Sequence, residues 1–289
     1  MLDLDSPRWA QLQHAYGSAE GVPDIIRRIA AESVPTYSDH PAKARENPAA
    51  WDDVYSALYH QGSIYSATFA ALPHFVAIAE SGSPEQRLAI FLLVGAIRVT
   101  GMPDLNIPLD LIEEFEASVA KMRQLSLSIF RQPFNKEQAL ELPYMIQAFA
   151  GLRFPKLPYL IHLENFVEGH YELEIEECPS CGEYMIAEMR KDGPVTAPID
   201  DKGHGPIEEK AAKLEVDRSD YPSRIERSRE ILDSSDDPAW EESETLSVLA
   251  ALAEEKGATD LATRILDLSA TVKCPHCECE FVLADELKS

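Results

Sequence analysis

Apolar residues recur every three to four positions through the first half of the chain, a spacing that predicts helices with one buried face. Prolines and capping residues mark where these helices begin, and glycines mark several of their ends. Ser83 and Gln86, for example, form a capping box before the run Leu88–Ile97, which is apolar nearly all round and therefore predicts a buried helix. The predicted helices cover residues 7–16, 22–33, 51–59, 65–79, 84–97, 109–130 and 137–152.

The segment LYHQGSIYSATFAALPHFV, residues 58–76, contains two apolar stretches that Gly62 separates. The end of a helix favours a residue with left-handed backbone, which glycine adopts without a side-chain clash. We therefore predict that Gly62 ends one helix and that Ser63 caps the next. Pro73 lies inside this second helix, where the missing N–H and the bulk of the ring predict a kink.

Alternation of apolar and charged residues predicts strands in the second half of the chain. The strands lie in HYELEIEE (170–177), YMIAEM (184–189) and FVLA (281–284). The Gly- and Pro-rich segment 191–210 has little periodicity and predicts a mobile loop. Three more helices are predicted after this loop, at residues 223–232, 238–256 and 260–270.

The chain is strongly acidic, with 50 Asp and Glu residues against 26 Lys and Arg and a net charge of −24. Residues 1–150 hold 18 acidic and 11 basic residues, whereas residues 151–289 hold 32 and 15. This charge repels nucleic acid and anionic lipid head groups, so we predict neither as a partner. The acidic half either solvates the protein or docks a basic protein partner.

Two patterns bear on where the protein is expected to reside, a secretory signal and a membrane-spanning run. The first ten residues lack the basic region and apolar run of a secretory signal. No window offers the roughly eighteen uninterrupted apolar residues that a membrane span needs. We therefore expect a cytoplasmic protein.

All five cysteines lie in two short motifs, ECPSCGEY and KCPHCECEF. A Cys-Pro-x-Cys turn points both thiolates at one metal ion and directs backbone N–H groups at the sulfurs. One turn supplies only two ligands, so the two motifs are predicted to share a single Zn²⁺. The predicted ligands are Cys178, Cys181, Cys274 and Cys277. Cys279 is the alternative to Cys277, and His276 is predicted to be a turn residue and not a ligand.

The predicted zinc site is structural, because four thiolates fill a tetrahedral coordination sphere and leave no position for water or substrate. A disulfide framework is the alternative, but it does not suit a cytosolic protein of this size. A redox Cys-x-x-Cys pair is another, but it does not explain the second motif.

Patterns typical of enzymes are weak or missing. His162-Leu163-Glu164 before Cys178 is similar to part of the zinc deaminase signature, but the proline follows the first cysteine and the second motif competes for the metal. His-Glu-x-x-His, a phosphate-binding glycine loop and Gly-x-Ser-x-Gly do not occur. His60 and His74 are interpreted as hydrogen-bonded residues at helix ends. Three tryptophans are interpreted as core anchors: Trp9, Trp51 and Trp240. We predict that the protein is not an enzyme.

The stretch ALYHQGSIYSATFAALPHFVAIA and the apolar helix after it, about residues 50–100, are similar to known repeats. They resemble the HEAT-like repeat segments of uncharacterised bacterial proteins, some of which are associated with toxin–immunity loci. In those proteins a helix bearing Trp or Leu precedes a His-Gln-Gly turn, which is followed by Tyr, Ala and a Pro-containing helix. The resemblance implies an α-α superhelix that binds a partner and lacks a reaction centre.

These features predict a mostly α protein with two regions. Residues 1–158 form a HEAT-like α-α helical array, and residues 159–289 form a zinc-ribbon region. The two parts of the ribbon, 159–190 and 271–289, bracket an acidic helical insertion at 191–270. We expect a cytoplasmic protein-binding module, most concretely an immunity-type inhibitor of a basic toxin such as a nuclease. The alternative is a zinc-ribbon adaptor or regulatory protein of a larger assembly.

Overall fold

A computed structural model of the protein describes residues 1–31, 49–100, 107–133, 141–157, 159–160, 162–163, 166, 172–199 and 206–287. The chain divides into two compact units. The first unit comprises Met1–Glu141 and Gln147–Lys156, and the second comprises Leu142–Ile146 and Leu157–Ser289. In the described residues the protein is mostly helical, as predicted, and its sheets are small. Within these same ranges, no helix combines the length and apolar character needed to cross a membrane.

The first unit contains the long helices that the apolar spacing predicts. They are α1 (Val22–Ala31), α2 (Ala49–Leu58), α3 (Ser66–Ser81), α4 (Pro84–Thr100) and α5 (Leu109–Phe130), while α6 (Leu142–Gly151) contributes residues to both units. Helix α3 packs against both α4 and α5, and the Phe69 and Phe115 rings lie 4.5 Å apart. The predicted capping box of α4 is confirmed: Gln86 N donates to Ser83 Oγ (3.2 Å), and Ser83 N donates to Gln86 Oε1 (3.0 Å).

The predicted helix at residues 7–16 is wrong. A short 3₁₀ helix spans Pro7–Gln11, and a hairpin of β1 (Gln13–His14) and β2 (Gly17–Ser18) follows it. Ala15 N at the hairpin turn donates to the carbonyl of Ala57 in α2 (3.0 Å). This tertiary hydrogen bond takes the place of a helical one, which local sequence spacing cannot predict.

Gly62 is left-handed, as predicted, but it does not end a helix. Strands β3 (Tyr59–His60) and β4 (Ser63–Ile64) pair on either side of it, and Gln61 and Gly62 have φ angles of 49° and 73°. Two left-handed central residues make the turn that suits the twist of a two-residue hairpin. Ser63 therefore does not cap α3. At the start of α3, Tyr65 N donates to Thr68 Oγ1 (3.0 Å).

The second unit contains a four-stranded antiparallel sheet in the order of the chain. Its strands are β5 (Glu172–Ile175), β6 (Met185–Arg190), β7 (Gly193–Ala197) and β8 (Ala212–Lys213). The loop predicted at 191–210 is thus wrong for residues 193–197, which are all buried. A strand buried on both faces shows no alternation of apolar and polar residues, so the pattern did not reveal it. The sheet extends to Lys213, whereas the sequence predicted that the first part of the ribbon ends at residue 190.

Helices and one more hairpin complete the second unit. The elements are α7 (Tyr221–Leu232), α8 (Thr245–Glu255), α9 (Thr259–Asp267), β9 (Thr271–Lys273), β10 (Glu280–Val282) and α10 (Leu283–Glu286). Helices α7 and α9 both pack against α8. Gly257 (φ 74°) has a left-handed backbone just after α8 and ends this helix. Ser223 does not cap α7, because that helix begins two residues earlier and Ser223 Oγ donates to the Asp220 carbonyl (2.8 Å).

Candidate metal centre

The two cysteine motifs lie at the tips of two hairpins in the second unit. Strands β5 and β6 enclose the first motif, and their pairing ends at Ile175 opposite Met185. Strands β9 and β10 enclose the second motif, and their pairing ends at Lys273 opposite Glu280. Each motif is therefore a loop whose two ends are held together by antiparallel strands.

The two motifs have the same backbone hydrogen bonds at matching positions. In each, the N–H of the first cysteine donates to the carbonyl five residues later, at 3.0 Å for Cys178 and 2.9 Å for Cys274. The carbonyl of each first cysteine accepts from a left-handed residue four positions later, Gly182 (φ 75°) or Glu278 (φ 65°). A backbone N–H also lies 3.4 Å from the first sulfur of each motif. These donors stabilise negative charge on sulfur, as a metal-bound thiolate requires.

The sulfurs of the four predicted ligands lie within 4.8 Å of one another. Between the motifs, Cys178 Sγ lies 3.8 Å from Cys277 Sγ, and Cys181 Sγ lies 3.7 Å from Cys274 Sγ. A tetrahedral ion with metal–sulfur bonds of about 2.3 Å places its sulfurs about 3.8 Å apart. All five cysteines are free thiols. The four sulfurs could therefore hold one metal ion, and the chain uses none of them in a disulfide.

Cys279 lies beside the group of four sulfurs but is not part of it. Its Sγ is 3.3 Å from Cys178 Sγ, which is shorter than the roughly 3.8 Å edge of a tetrahedral site. In the second motif it occupies the position that Glu183 has in the first. The geometry thus favours Cys277 over Cys279, the choice that the sequence left open.

One side of the four-sulfur group is buried and the other is exposed. Cys178 and Cys274 are 3% and 0% exposed, whereas the Cys181 and Cys277 side chains are exposed.

The N–H of Cys279 lowers the pKa of the Cys277 thiol to about 6. Burial, and then contact with Cys178 and Cys277, raises the pKa of the Cys279 thiol to about 12. Adjacent thiolates repel, so a cation is required before all four ligands can ionise, and its binding releases protons.

Strand β7, which the sequence pattern did not predict, positions the second cysteine motif. Thr196 is completely buried in β7, and its hydroxyl donates to the carbonyl of Lys273, the residue before Cys274. On the other side of the hairpin, Leu283 N donates to the Ala270 carbonyl (3.0 Å). The four-stranded sheet and the end of α9 therefore both position β9 and β10. A threonine in a segment rich in Gly and Pro gives no sequence signal for this role.

An acidic cleft lies next to the β9–β10 hairpin. It has a volume of about 400 Å³ and is lined by residues 214–217, the start of α7, residues 269–271 and Glu280. Four exposed carboxylates line it: Glu215, Asp217, Asp220 and Glu280. None of the four forms an ion pair with any residue that the structure describes, whereas Asp192 and Asp267, which do not line the cleft, pair with Lys213 and Arg218. The sequence predicted an acidic half but not this clustering.

Arg224 also lines the acidic cleft, and neutral groups hold its guanidinium. Its Nε donates to Ser247 Oγ (3.0 Å) and its Nη1 donates to Ser269 Oγ (3.2 Å). Arg224 forms no ion pair with a cleft carboxylate among the described residues, and its single positive charge leaves the four carboxylates in excess. Their excess negative charge is available to a cationic group from another molecule.

The remaining candidate residues have structural surroundings. His74 is buried and donates from Nε2 to the Leu2 carbonyl (2.8 Å), and burial lowers its pKa. His60 Nδ1 lies 3.4 Å from Tyr16 Oη. His162 is not among the residues that could share the metal, and Glu164 lies outside the described residues.

The three tryptophans, which the sequence predicted to be core residues, differ in how deeply they are buried. Trp9 and Trp51 are buried in the first unit. Trp240 is half-buried in the second unit, where its Nε1 donates to Thr245 Oγ1 (3.2 Å). None of these rings lines the acidic cleft.

Replacing Glu278 with glycine is expected to stabilise the protein. Glu278 has the left-handed backbone that Gly182 has in the matching motif, and such a backbone costs a residue with a side chain about 1 kcal/mol. The ion pair with Lys273 (3.2 Å) that the change removes is worth little, because the Glu278 side chain is 81% exposed. Denaturant unfolding should show Glu278→Gly to be more stable and the matched control Gly182→Ala to be less stable. A loss of stability in Glu278→Gly would contradict this account.

No protein-family model matches this chain, and comparisons with curated proteins and with solved structures return no match. The four sulfurs and the acidic cleft are therefore the features from which a function can be inferred.

Proposed function

We propose that this protein is a cytoplasmic protein-binding module that uses the acidic cleft to bind a basic protein. The observation that carries the proposal is the cluster of four exposed carboxylates around a concave surface, none of which forms an ion pair with a described residue. A lysine or arginine side chain of a partner supplies the missing charge. Residues 151–289 hold 32 acidic and 15 basic residues, so their net negative charge also attracts a basic partner over long distances.

We propose that the metal at the four sulfurs is Zn²⁺ and that its role is structural. Soft thiolate ligands in a tetrahedral arrangement suit zinc, which forms bonds of about 2.3 Å to sulfur. Four cysteine ligands saturate the ion, so neither water nor substrate can reach it. The ion would hold two hairpins together as a zinc ribbon and present the acidic cleft beside the second hairpin. This closed coordination argues for a binding protein over a metalloenzyme.

We further propose that the first unit is a HEAT-like array and that the whole protein is an immunity-type inhibitor of a basic toxin such as a nuclease. Packing of α3 against both the next helix and the one after it is typical of stacked helix pairs. Residues 50–100 resemble HEAT-like repeat segments of bacterial proteins, some of which are associated with toxin–immunity loci, and this resemblance motivates the choice of partner. An inhibitor that covers a cationic, nucleic-acid-binding active site needs a surface of the opposite charge.

Capture of partners from the native host tests this function. The bait is the full chain, compared with a cleft variant in which Glu215, Asp217, Asp220 and Glu280 are changed to their amides. The control variant changes Glu209, Glu230, Asp236 and Asp285 to their amides, which removes the same charge from exposed positions outside the cleft. We expect the wild type and the control to retain a basic protein and the cleft variant to lose it.

The association rate of the captured complex provides a second measure of the proposed function. Electrostatic steering makes the rate fall as salt concentration rises, and this salt dependence should weaken in the cleft variant. Equal binding by the two amide variants would show that the cleft does not recognise the partner. Recovery of no basic protein by the wild type would refute the proposed partner class.

A zinc-ribbon adaptor or regulatory protein is the second candidate, because the tips of the two cysteine motifs are exposed. Cys181, Cys277 and His276 are exposed, and the ring of Tyr184 beside the first motif is 37% exposed. Exposed aromatic rings are frequent anchors in protein interfaces. If Tyr184→Ala keeps the metal content and unfolding temperature of the wild type but loses the captured partner, the adaptor function is favoured. Unchanged capture favours the cleft.

A further inference from the structure

The segment that follows β8 forms one wall of the acidic cleft and has no backbone partner among the described residues. Half-buried Leu214 and Val216 alternate in this segment with exposed Glu215 and Asp217, which is the period of an extended strand. No backbone hydrogen bond joins residues 214–217 to any residue that the structure describes. Their N–H and C=O groups can therefore pair with another extended chain.

A proline in the neighbouring strand explains why the ladder stops before this segment. Strand β8 is the outermost strand of the sheet, and its pairing with β7 ends at Val195 opposite Lys213. The same register places Pro194 opposite the next residue, and proline has no N–H to donate. The Val216 side chain still packs against Gly193, where an added Cβ would lie 3.1 Å from Val216 Cγ2. The segment thus lies beside the sheet without hydrogen bonds to it.

The cleft faces the edge of the segment and not one of its two faces. All four residues 214–217 line the cleft, although successive side chains of an extended chain point to opposite faces. The edge between these faces is where the N–H and C=O groups lie. The start of α7 and the β9–β10 hairpin form the other walls. A cavity of about 400 Å³ between these walls suits a few residues of one chain and excludes the sheet of another molecule.

We propose that the cleft binds an extended basic segment of the partner, which adds as a strand to residues 214–217. This inference rests on the proposed function and specifies the form in which the partner presents its charge. Side chains two positions apart in a strand lie on the same face, about 6.7 Å from each other. Lys or Arg residues at alternate positions of the partner segment therefore match Glu215 and Asp217. Main-chain hydrogen bonds supply affinity in such strand addition, and the alternate side chains supply specificity.

The charges of the cleft walls favour a segment that is basic along its length. Ser219 N donates to Asp217 Oδ1 (2.9 Å) and lowers the pKa of Asp217, so this carboxylate stays ionised at neutral pH. Asp220 and Glu280 add carboxylates on the walls that face the segment. An acidic or neutral strand would leave these charges without compensation.

Synthetic peptides and the full chain test the inference by calorimetry. The parent probe is a capped eight-residue peptide in which Lys and Thr alternate. Two further probes carry N-methyl groups on the backbone nitrogens of all Lys or of all Thr residues. Only alternate residues of a strand direct their N–H groups at a given neighbour, so one methylated probe should bind about tenfold more weakly than the other. Hydrogen exchange should also slow about tenfold at the amides of residues 214–217 when the parent probe is bound.

Each contrary result distinguishes the inference from the proposed function. Equal affinities of the two methylated probes, or unchanged exchange at residues 214–217, overturn strand addition. The proposed function survives either result if the cleft variant loses binding of the parent probe and the control variant keeps it. Failure of the parent probe to bind, while the wild type still captures a basic protein, also overturns the inference alone. Equal binding of the parent probe by the wild type and the cleft variant overturns the inference and the proposed cleft together.

Discussion

Removal of the proposed metal under reducing conditions is expected to unfold the second unit and leave the first unit folded. The cysteine pairs Cys178–Cys277 and Cys181–Cys274 are 99 and 93 positions apart in the chain, so an ion held by these sulfurs would close a very long loop. Binding free energies of structural zinc are about 10 kcal/mol in small zinc peptides near neutral pH, and this energy contributes to folding. That amount is comparable to the whole stability of a typical domain, about 5–15 kcal/mol.

Tryptophan fluorescence can assign the unfolding to one unit. Trp9 and Trp51 are buried in the first unit and Trp240 lies in the second, so the signal of a Trp240→Phe variant reports on the first unit alone. With a strong chelator and a reductant, circular dichroism should show loss of second-unit structure, whereas the fluorescence of Trp240→Phe should keep its thermal transition. Cys274→Ser should behave like chelated wild type. Cys279→Ser should behave like the wild type with metal.

Two results would contradict this prediction. Purified protein without bound metal would show that the four thiols do not form a metal site. A thermal transition that a chelator does not change would show that the metal contributes nothing to the fold. Acidification provides a further check, because protons compete with the metal for the thiolates and metal content should fall as the pH falls.

Replacement of Asp267 is expected to cause the largest loss of stability among single carboxylate substitutions in the second unit. Asp267 is completely buried at the end of α9 and binds Arg218 through two hydrogen bonds, from Nε (3.0 Å) and from Nη2 (2.5 Å). The hydroxyl of Tyr221, the first residue of α7, donates to the same carboxylate (2.9 Å). The hydrogen bonds to Asp267 raise the pKa of Arg218, which stays charged. Removal of one partner of a buried ion pair costs about 3–5 kcal/mol, and we expect the lower end of this range because the Arg218 side chain is 28% exposed.

Denaturant unfolding of Asp267→Ala should therefore show a large decrease in the free energy of unfolding. The matched control is Glu226→Gln on α7, which removes an ion pair to Arg229 (3.0 Å) from a side chain that is 67% exposed. Exposed pairs contribute about 0–1 kcal/mol, so the control should differ little from the wild type. Similar losses in both variants would indicate that the burial of Asp267 has no energetic consequence.

Asp267 also connects stability to the proposed binding surface. Tyr221 lines the acidic cleft, and the chain enters the cleft wall again at residues 269–271 directly after Asp267. The carboxylate therefore holds two walls of the cleft through one ion pair and one hydroxyl hydrogen bond. Asp267→Ala should weaken partner capture even under conditions in which most of the variant is folded.

Local sequence determined the long helices of this protein. The apolar spacing and capping residues of α3, α4 and α5 predicted their existence and approximate limits, and the capping box of Ser83 and Gln86 formed as expected. A helix is built from contacts between residues three and four positions apart, so its signals lie within a short stretch of sequence. The four candidate ligands were identified for the same reason, because the geometry of a Cys-Pro-x-Cys turn is local.

The tertiary structure alone decided which segments pair and which sulfurs meet. Residues 193–197 form a buried strand, and residues 13–18 form a hairpin, because β8, the Lys273 carbonyl and α2 supply hydrogen-bond partners that the local sequence does not contain. The sequence predicted Cys277 as the fourth ligand and left Cys279 as its alternative, and the positions of both sulfurs relative to the first hairpin favour Cys277. The acidic cleft depends likewise on residues from three separate segments. Each of these features arises from contacts between residues far apart in the chain, whose free energy depends on the whole fold.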